Sequence, residues 1–347
     1  MTTTADKAMT PPGHRIEFGT RTTRIALALG ALVVLLLASL PAWGPSGAMR
    51  FLVEVLTFLT LAQMWSLLAG YAGLVSIGQQ AFIGLGAYAL FVFSDIVHLP
   101  PVLPVLLAGG LAGLIALAIS PLAFRLGGGY FAIGTWVVAE VVRLIIVQVK
   151  AVGSGTGVSI QSLVAMPAPE RQVLAYWLAL ALGVSSIAVV TLIMRSRLGL
   201  ALTAIRDSEV AARSLGVNAF RAKLVVWIVA AVGCGMAGAV FYMQALRIQP
   251  TAAFGVDWTA KIIFIVIIGG IGSIEGPIVG TAVFFLLQTT LASLGALYLV
   301  ILGGVAVAVT IVAPAGLWGL FVRRVPVVLF AIHRRLVTVG SPGRGAG

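Results

Sequence analysis

Apolar residues occupy this chain in long blocks joined by short polar stretches. The blocks are 25–43, 51–69, 74–93, 101–124, 130–149, 173–194 and 224–245, followed by an almost wholly apolar run at 260–320. Glycines interrupt that run at 269–280 and again at 293–295, dividing it into 261–271, 277–292 and 296–317. Most blocks approach the ~20 apolar residues that a helix needs to cross a bilayer. The pattern predicts an all-α polytopic membrane protein with about ten transmembrane segments (8–10). The first block is too long for a signal-peptide core and reads as a retained helix. The eighth is only eleven residues long, which fits a half-helix or re-entrant element as well as a full crossing.

Composition excludes the alternative of one large soluble domain. Of 347 residues, 60% are hydrophobic and 9% charged, and mean hydropathy is +1.12. Soluble domains are about half apolar and about a quarter charged. The 41 glycines suit close helix packing in lipid. A single cysteine, Cys234, excludes an internal disulfide framework and a multi-cysteine metal site. His14, His98 and His333 are too scattered to form a cluster, so no metal is expected.

The net charge of +12 reads as a topology signal in such a chain, not as a sign of nucleic acid. With the N-terminus placed in the cytoplasm, 16 of the 22 basic residues fall inside: four in the N-terminal arm, Arg125, six between Arg195 and Lys223, and five in the tail. Arg50, Lys150, Arg171, Arg247 and Lys261 fall outside, and Arg143 lies within a span. This asymmetry agrees with the positive-inside rule and puts both termini in the cytoplasm, with lipid headgroups as partners of most of these cations. The chain then divides into an N-terminal arm (1–24) read as disordered or surface-associated, a transmembrane domain (25–320) containing a long inner loop (195–221), and a basic tail (321–347).

The inner loop is polar yet patterned. Residues 198–205 contain helix formers with an apolar face through Leu198, Leu202 and Ile205. Asp207 or Ser208 can cap a second helix, Glu209 suits its first turn, and Gly216 supplies a left-handed stop. Such a loop is a candidate docking element for a soluble partner; a helix lying on the membrane surface is the other reading. The longest outer loop, 150–172, carries Gly-Ser-Gly-Thr-Gly at 153–157 and reads equally as a docking surface or as a connector.

Two glycine-rich segments depart from plain hydrophobicity. Residues 70–88 hold Ser76, Gln79 and Gln80 among repeated glycines, and 269–280 hold Gly270 and Ser273. They share a faint pattern, Gly73…Ser76-Ile77 against Gly270…Ser273-Ile274. Interrupted helices at membrane depth occur where protein or a cavity buries them, and corresponding breaks in two halves point to a transport pathway. Packing glycines account for part of this pattern without any pathway. Within spans, Glu140 and Arg143 are three apart and share a helix face. They read as a structural ion pair facing the bundle interior, or as groups that contact a charged substrate. No G-x-x-x-x-G-K-[ST] phosphate loop, nucleophile elbow or metal-binding helix motif occurs, so the chain is not expected to be an enzyme or to hold a cofactor itself.

Five pieces carry a family resemblance: GYAGLVSIGQQAFIGLGAYAL at 70–90, GGGYFAIGTWVVAEVVRLI at 127–145, SRLGLALTAIRDSEVAARSLGVNAFRAKL at 196–224, IIGGIGSIEGPIVGTAV at 267–283 and APAGLWGLF at 313–321. In this order, over about 50–320, they resemble the branched-chain amino acid ABC importer permeases, the LivM-type subunit more than its LivH-type partner. The resemblance implies a plasma-membrane importer subunit. A second LivH-like permease, two cytoplasmic ABC ATPases that bind the ATP, and an extracytoplasmic substrate-binding protein would be its partners. It implies that Arg206, Asp207, Glu209, Ala212 and Gly216 dock the ATPase, since Ala211–Gly216 look like the AA-x-x-x-G part of the importers' EAA loop. Glu209 stands one residue upstream of its place in that pattern. The interrupted segments and the intramembrane ion pair make Ser76, Gln79, Gln80, Glu140, Arg143, Gly270 and Ser273 candidates for the pathway or its packing. An ion- or proton-coupled secondary transporter is the competing class, with Glu54 and Glu140 as its only central carboxylates.

Overall fold

A computed structural model describes residues 13–17, 21–291, 295, 297–324 and 335–339. Strand β1 (Gly13–Glu17) is followed by α1 (Arg21–Trp43) and α2 (Ser46–Ser66), which ends in a π-turn at Leu67–Tyr71. After an irregular segment come α3 (Gln79–Phe91), α4 (Val102–Ala123) and α5 (Gly129–Gln148). Strand β2 (Val158–Ser159) and α6 (Gln161–Val164) lead into α7 (Ala168–Arg195), α8 (Arg197–Asp207), α9 (Glu209–Ser214) and α10 (Ala219–Ala245). The last part holds β3 (Arg247–Ile248), α11 (Pro250–Ala253), α12 (Asp257–Gly269), α13 (Glu275–Leu291), α14 (Leu297–Val312), α15 (Gly316–Arg324) and β4 (Arg335–Val339).

Seven helical stretches among the described residues are long and apolar enough to cross a membrane: Ser46–Tyr71, Val102–Ala123, Gly129–Gln148, Ala168–Arg195, Ala219–Ala245, Pro250–Gly269 and Val300–Arg324. The expected blocks largely became helices, with two differences. The block at 74–93 is helical only from Gln79, because 73–78 run as irregular chain and Gly73 takes a left-handed φ of 69°. The final block at 296–317 is broken after Val312: Ala313–Ala315 turn and Gly316 (φ 71°) opens the separate α15. Of the interruption expected at 293–295, only Gly295 lies within the described residues; it has a φ of 56°.

The core is built on α10. Its buried face is made of small residues, Ala230, Ala231, Cys234, Gly235, Ala237 and Gly238, so α3 and α4 approach it backbone to backbone. A Cβ on Gly86 of α3 would collide with the Gly235 carbonyl. In lipid, apolar transfer drives no helix association, so contact density of this kind does the holding. On the other flank, α2 packs on α7, α10, α12 and α13. Phe58 stacks on Trp258 at 5.4 Å and meets Phe284 at 5.8 Å, tying α2 to α12 and α13.

The helix ends sort into two faces. Residues 72–74 and 124–128 line one cavity of about 220 Å³ together with Ile205, Arg206, Glu209 and Lys223. At the opposite end Asp95 caps α6, its carboxylate accepting from Gln161 N (2.6 Å) and Ser162 N (3.0 Å). There β2 pairs antiparallel with β3, and Arg171 donates to the carbonyls of Leu163 (2.7 Å) and Met166 (3.1 Å). The glycine-rich loop at 150–172 is therefore a built structure, not a free connector. β1 and β4 also pair antiparallel, Gly13 opposite Val339 and Glu17 opposite Arg335, so the N-terminal arm and the tail meet. Residues 1–12, 18–20, 325–334 and 340–347 of the arm and tail lie outside the described residues.

Candidate functional site

The polar loop after α7 folds as the two short helices that its sequence predicts. Ser196 caps α8, its hydroxyl accepting from Leu198 N at 3.1 Å. Ser208, not Asp207, caps α9, accepting from Ala211 N at 3.3 Å. Leu202 and Ile205 are buried against the membrane body, and Leu198 is half-buried. Gly216 takes the left-handed stop, with a φ of 83°.

Electrostatics then fixes α9. Its first residue, Glu209, accepts from Lys223 Nζ on α10 at 2.5 Å and from Arg213 Nη2 one turn on at 2.7 Å. The Lys223 hydrogen bond, ahead of the cost of desolvation, holds the Glu209 carboxyl below the ordinary carboxylate range. Ala212 is buried beneath α9, whereas Asp207 and Gly216 are exposed. Arg206 does not point outward as a free cation. Its Nη1 donates to the Gly70 carbonyl at 3.0 Å, and its Nε donates to Asp207 Oδ1 at 3.2 Å.

Three residues that sequence reasoning passed over complete this surface. Val210 (77% exposed) and Leu215 (83% exposed) project from α9 and its end, and Leu200 is exposed on α8. Apolar side chains this exposed on a short, firmly capped element suit a docked partner or the lipid headgroup region equally. Their sequence signal was the mismatch between an apolar residue and the polar face of its helix.

Both glycine-rich segments contain breaks between helices, at 73–78 and 270–274. Each has a serine turning back on the backbone: Ser76 Oγ accepts from Gly78 N (3.1 Å), and Ser273 Oγ accepts from Gly276 N (3.0 Å). The faint sequence correspondence thus marks a shared local construction. Gly270 has a φ of 123°. The breaks are held from α2, where Trp65 Nε1 donates to the Ser76 carbonyl and Gln63 Nε2 to the Ile274 carbonyl, both at 2.8 Å. Gln79 and Gln80 are fully buried at the start of α3. Gln79 Oε1 accepts from Cys234 Sγ at 3.3 Å, and Gln80 Oε1 accepts from Thr259 Oγ1.

Glu140 and Arg143 form the expected ion pair, but it does not face the interior of this bundle. The pair lies on the outward side of α5, where Ile133, Trp136, Val137, Val141 and Leu144 are also exposed. The opposite side of α5 is the packed one: Phe131, Thr135 and Ala139 are buried, and Thr135 Oγ1 accepts from Ile77 N at 3.1 Å. Helical phase puts Glu140 away from that packed side, whereas Arg143, one turn beyond Ala139, stands at its edge and turns its guanidinium outward to Glu140.

Comparison with known proteins follows the same lines. The profile of the family described as branched-chain amino acid transport system / permease component matches residues 47–328. The chain is 26% identical over 327 residues to the high-affinity branched-chain amino acid transport system permease protein LivM of Escherichia coli (strain K12), covering 85% of this chain and 75% of that protein. It is also 26% identical over 333 residues to the LivM of Salmonella typhimurium (strain LT2), with the same coverage. No solved structure matches.

Proposed function

The chain belongs to the branched-chain amino acid transport system permease family, of LivM type, and from that membership we propose that it is a permease subunit of an ABC importer for branched-chain or related amino acids. ATP is hydrolysed on two separate ATPase subunits. A second, LivH-like permease and an extracytoplasmic binding protein complete the assembly. The observation that carries this reading is the α8–α9 element, with its two serine caps, its Glu209–Lys223 tether and its projecting Val210 and Leu215. A firmly held helix pair with an exposed apolar tip suits a partner that pushes on it.

We read α1–α5, α7, α10 and α12–α14 as ten crossings, seven of which belong to stretches long and apolar enough to cross a membrane. The meeting of β1 with β4 supports an even number, with both termini in the cytoplasm. The cavity face, with Arg125, Arg206 and Lys223, is then cytoplasmic. The Glu140–Arg143 pair lies about 17 Å along α5, near the bilayer midplane. Charged groups at that depth almost always face protein or water, so the outward face of α5 is where the second permease subunit would sit.

The test is reconstitution in proteoliposomes with co-expressed ATPases, second permease and binding protein. Uptake of radiolabelled leucine, isoleucine or valine requires lumenal or external ATP on the ATPase side and is insensitive to an uncoupler. Uptake that collapses with an uncoupler and ignores ATP establishes the secondary-transporter class instead.

A further inference from the structure

We propose that Arg206 is a positioning residue that transmits movement of α8–α9 to both helix breaks at once, a latch between the coupling element and the pathway. The proposal rests on the importer reading and reassigns Arg206 from the docking surface to the permease's own transmission.

The argument starts from where the guanidinium goes. Arg206 sits in the last turn of α8, yet its Nη1 reaches back into the membrane body to the Gly70 carbonyl at 3.0 Å. Gly70 belongs to the π-turn that ends α2, just before the first break. Carbonyls at a helix end lack regular partners, and a cationic donor makes the stronger kind of hydrogen bond to them. The stem of Arg206 packs on the break itself. A Cβ on Gly73, where φ is 69°, would lie 3.4 Å from Arg206 Cγ and 3.5 Å from its Cα.

The second break meets the first at the same point. A Cβ on Gly70 would lie 2.8 Å from Gly272 N, so only glycine at 70 allows this approach. A Cβ on Gly272 would lie 3.8 Å from Arg206 Nη1. One guanidinium therefore stands at the junction of two breaks that are about 200 residues apart in sequence.

Two features make this junction suited to moving. The guanidinium is shared between the Gly70 carbonyl and Asp207, whose exposed carboxylate travels with α8. Displacing α8 thus lets Arg206 release Gly70 while keeping an anionic partner. Around it, Gln63 Oε1, Ser66 Oγ and Tyr71 OH are buried without hydrogen-bond partners. Such groups favour any nearby arrangement that satisfies them, which is what a two-state element needs.

The experiment uses the assembled transporter in lipid nanodiscs and proteoliposomes. In the wild-type complex, hydrogen exchange is compared with and without nucleotide and vanadate trapping. Segments 67–74 and 269–274 are expected to change together with 197–214. A change at 197–214 with none at the two breaks overturns the latch. In Arg206→Gln, the ATPase subunits are expected to co-purify and ATP hydrolysis to continue, while uptake per ATP falls at least tenfold; Arg206→Lys, which keeps the charge but not the fork, recovers part of it. Wild-type uptake per ATP in Arg206→Gln overturns the proposal, and so does loss of the ATPases from that variant, which makes Arg206 a docking residue. If wild-type chain neither assembles with ATPases nor needs ATP, it is the importer reading that fails. That outcome is read from wild-type alone.

Discussion

The tether on α9 gives a prediction whose size follows from exposure. Glu209 makes two charged contacts. Arg213 is 64% exposed, so this i,i+4 pair contributes ~0.5 kcal/mol. Lys223 is only 13% exposed, but the Glu209 carboxylate is 34% exposed, and solvent screening keeps their bond near the low end of the ~1.5–3 kcal/mol expected for a charged hydrogen bond. Together they hold α9 by ~2 kcal/mol, a factor of about 30 in its local opening. Glu209→Ala should therefore speed amide exchange across 208–216 by about that factor, with little change in α10. Lys223→Met should produce most of the same effect, and the double variant little more than either alone. The pH dependence has a definite sign. A carboxyl held below its unfolded value contributes fully at neutral pH and loses its contribution as pH falls from about 4 toward the lower folded value. Exchange at 208–216 that stays within threefold of wild type in Glu209→Ala refutes the tether, and so does loss of protection beginning above pH 6.

Gly235→Ala drives a methyl to 2.6 Å from Ala112 Cβ where α10 meets α4, an overpacking cost of ~1–3 kcal/mol that should lower the thermal midpoint in detergent. Asp95→Ala removes the cap of α6 at a cost of ~1–2 kcal/mol and should make 153–157 more susceptible to protease. Glu140→Leu leaves Arg143 unpaired within an apolar span, at ~2.5–3.5 kcal/mol on an insertion scale, and should reduce membrane yield more than Glu140→Leu combined with Arg143→Leu. The double variant should insert normally yet no longer co-purify with a second permease chain.

Several features of the site were legible because they are local. Serine before a helical run, glutamate in its first turn and glycine at its end write α8 and α9 directly into the sequence. The choice of Ser208 over Asp207 as cap was not legible, since either side chain can reach the amides and only the backbone direction at the joint decides. The inward course of Arg206 was not legible either. A basic residue in a basic loop carries the same sequence signal whether it points at solvent or at a carbonyl 136 positions away. The ion pair on α5 was legible as a pair from its spacing of three, but its side was not. Every residue around it is apolar, so periodicity had no polar face to set against a buried one.

By itself the sequence determined a membrane protein of many helices, the polar loop and its two short helices, and the location of both glycine-rich breaks. Hydropathy, caps and glycine spacing are properties of neighbours along the chain, and the bilayer makes them decisive by leaving few backbone structures available. Only the tertiary structure decided that the two breaks touch at Gly70 and Gly272, that Arg206 bridges them to α8, and that Glu140 and Arg143 face away from the bundle. These facts depend on how helices far apart in sequence settle against the small-residue face of α10. In lipid that settling follows shape and hydrogen bonding, not apolar burial, so hydrophobicity along the chain carries almost no record of it.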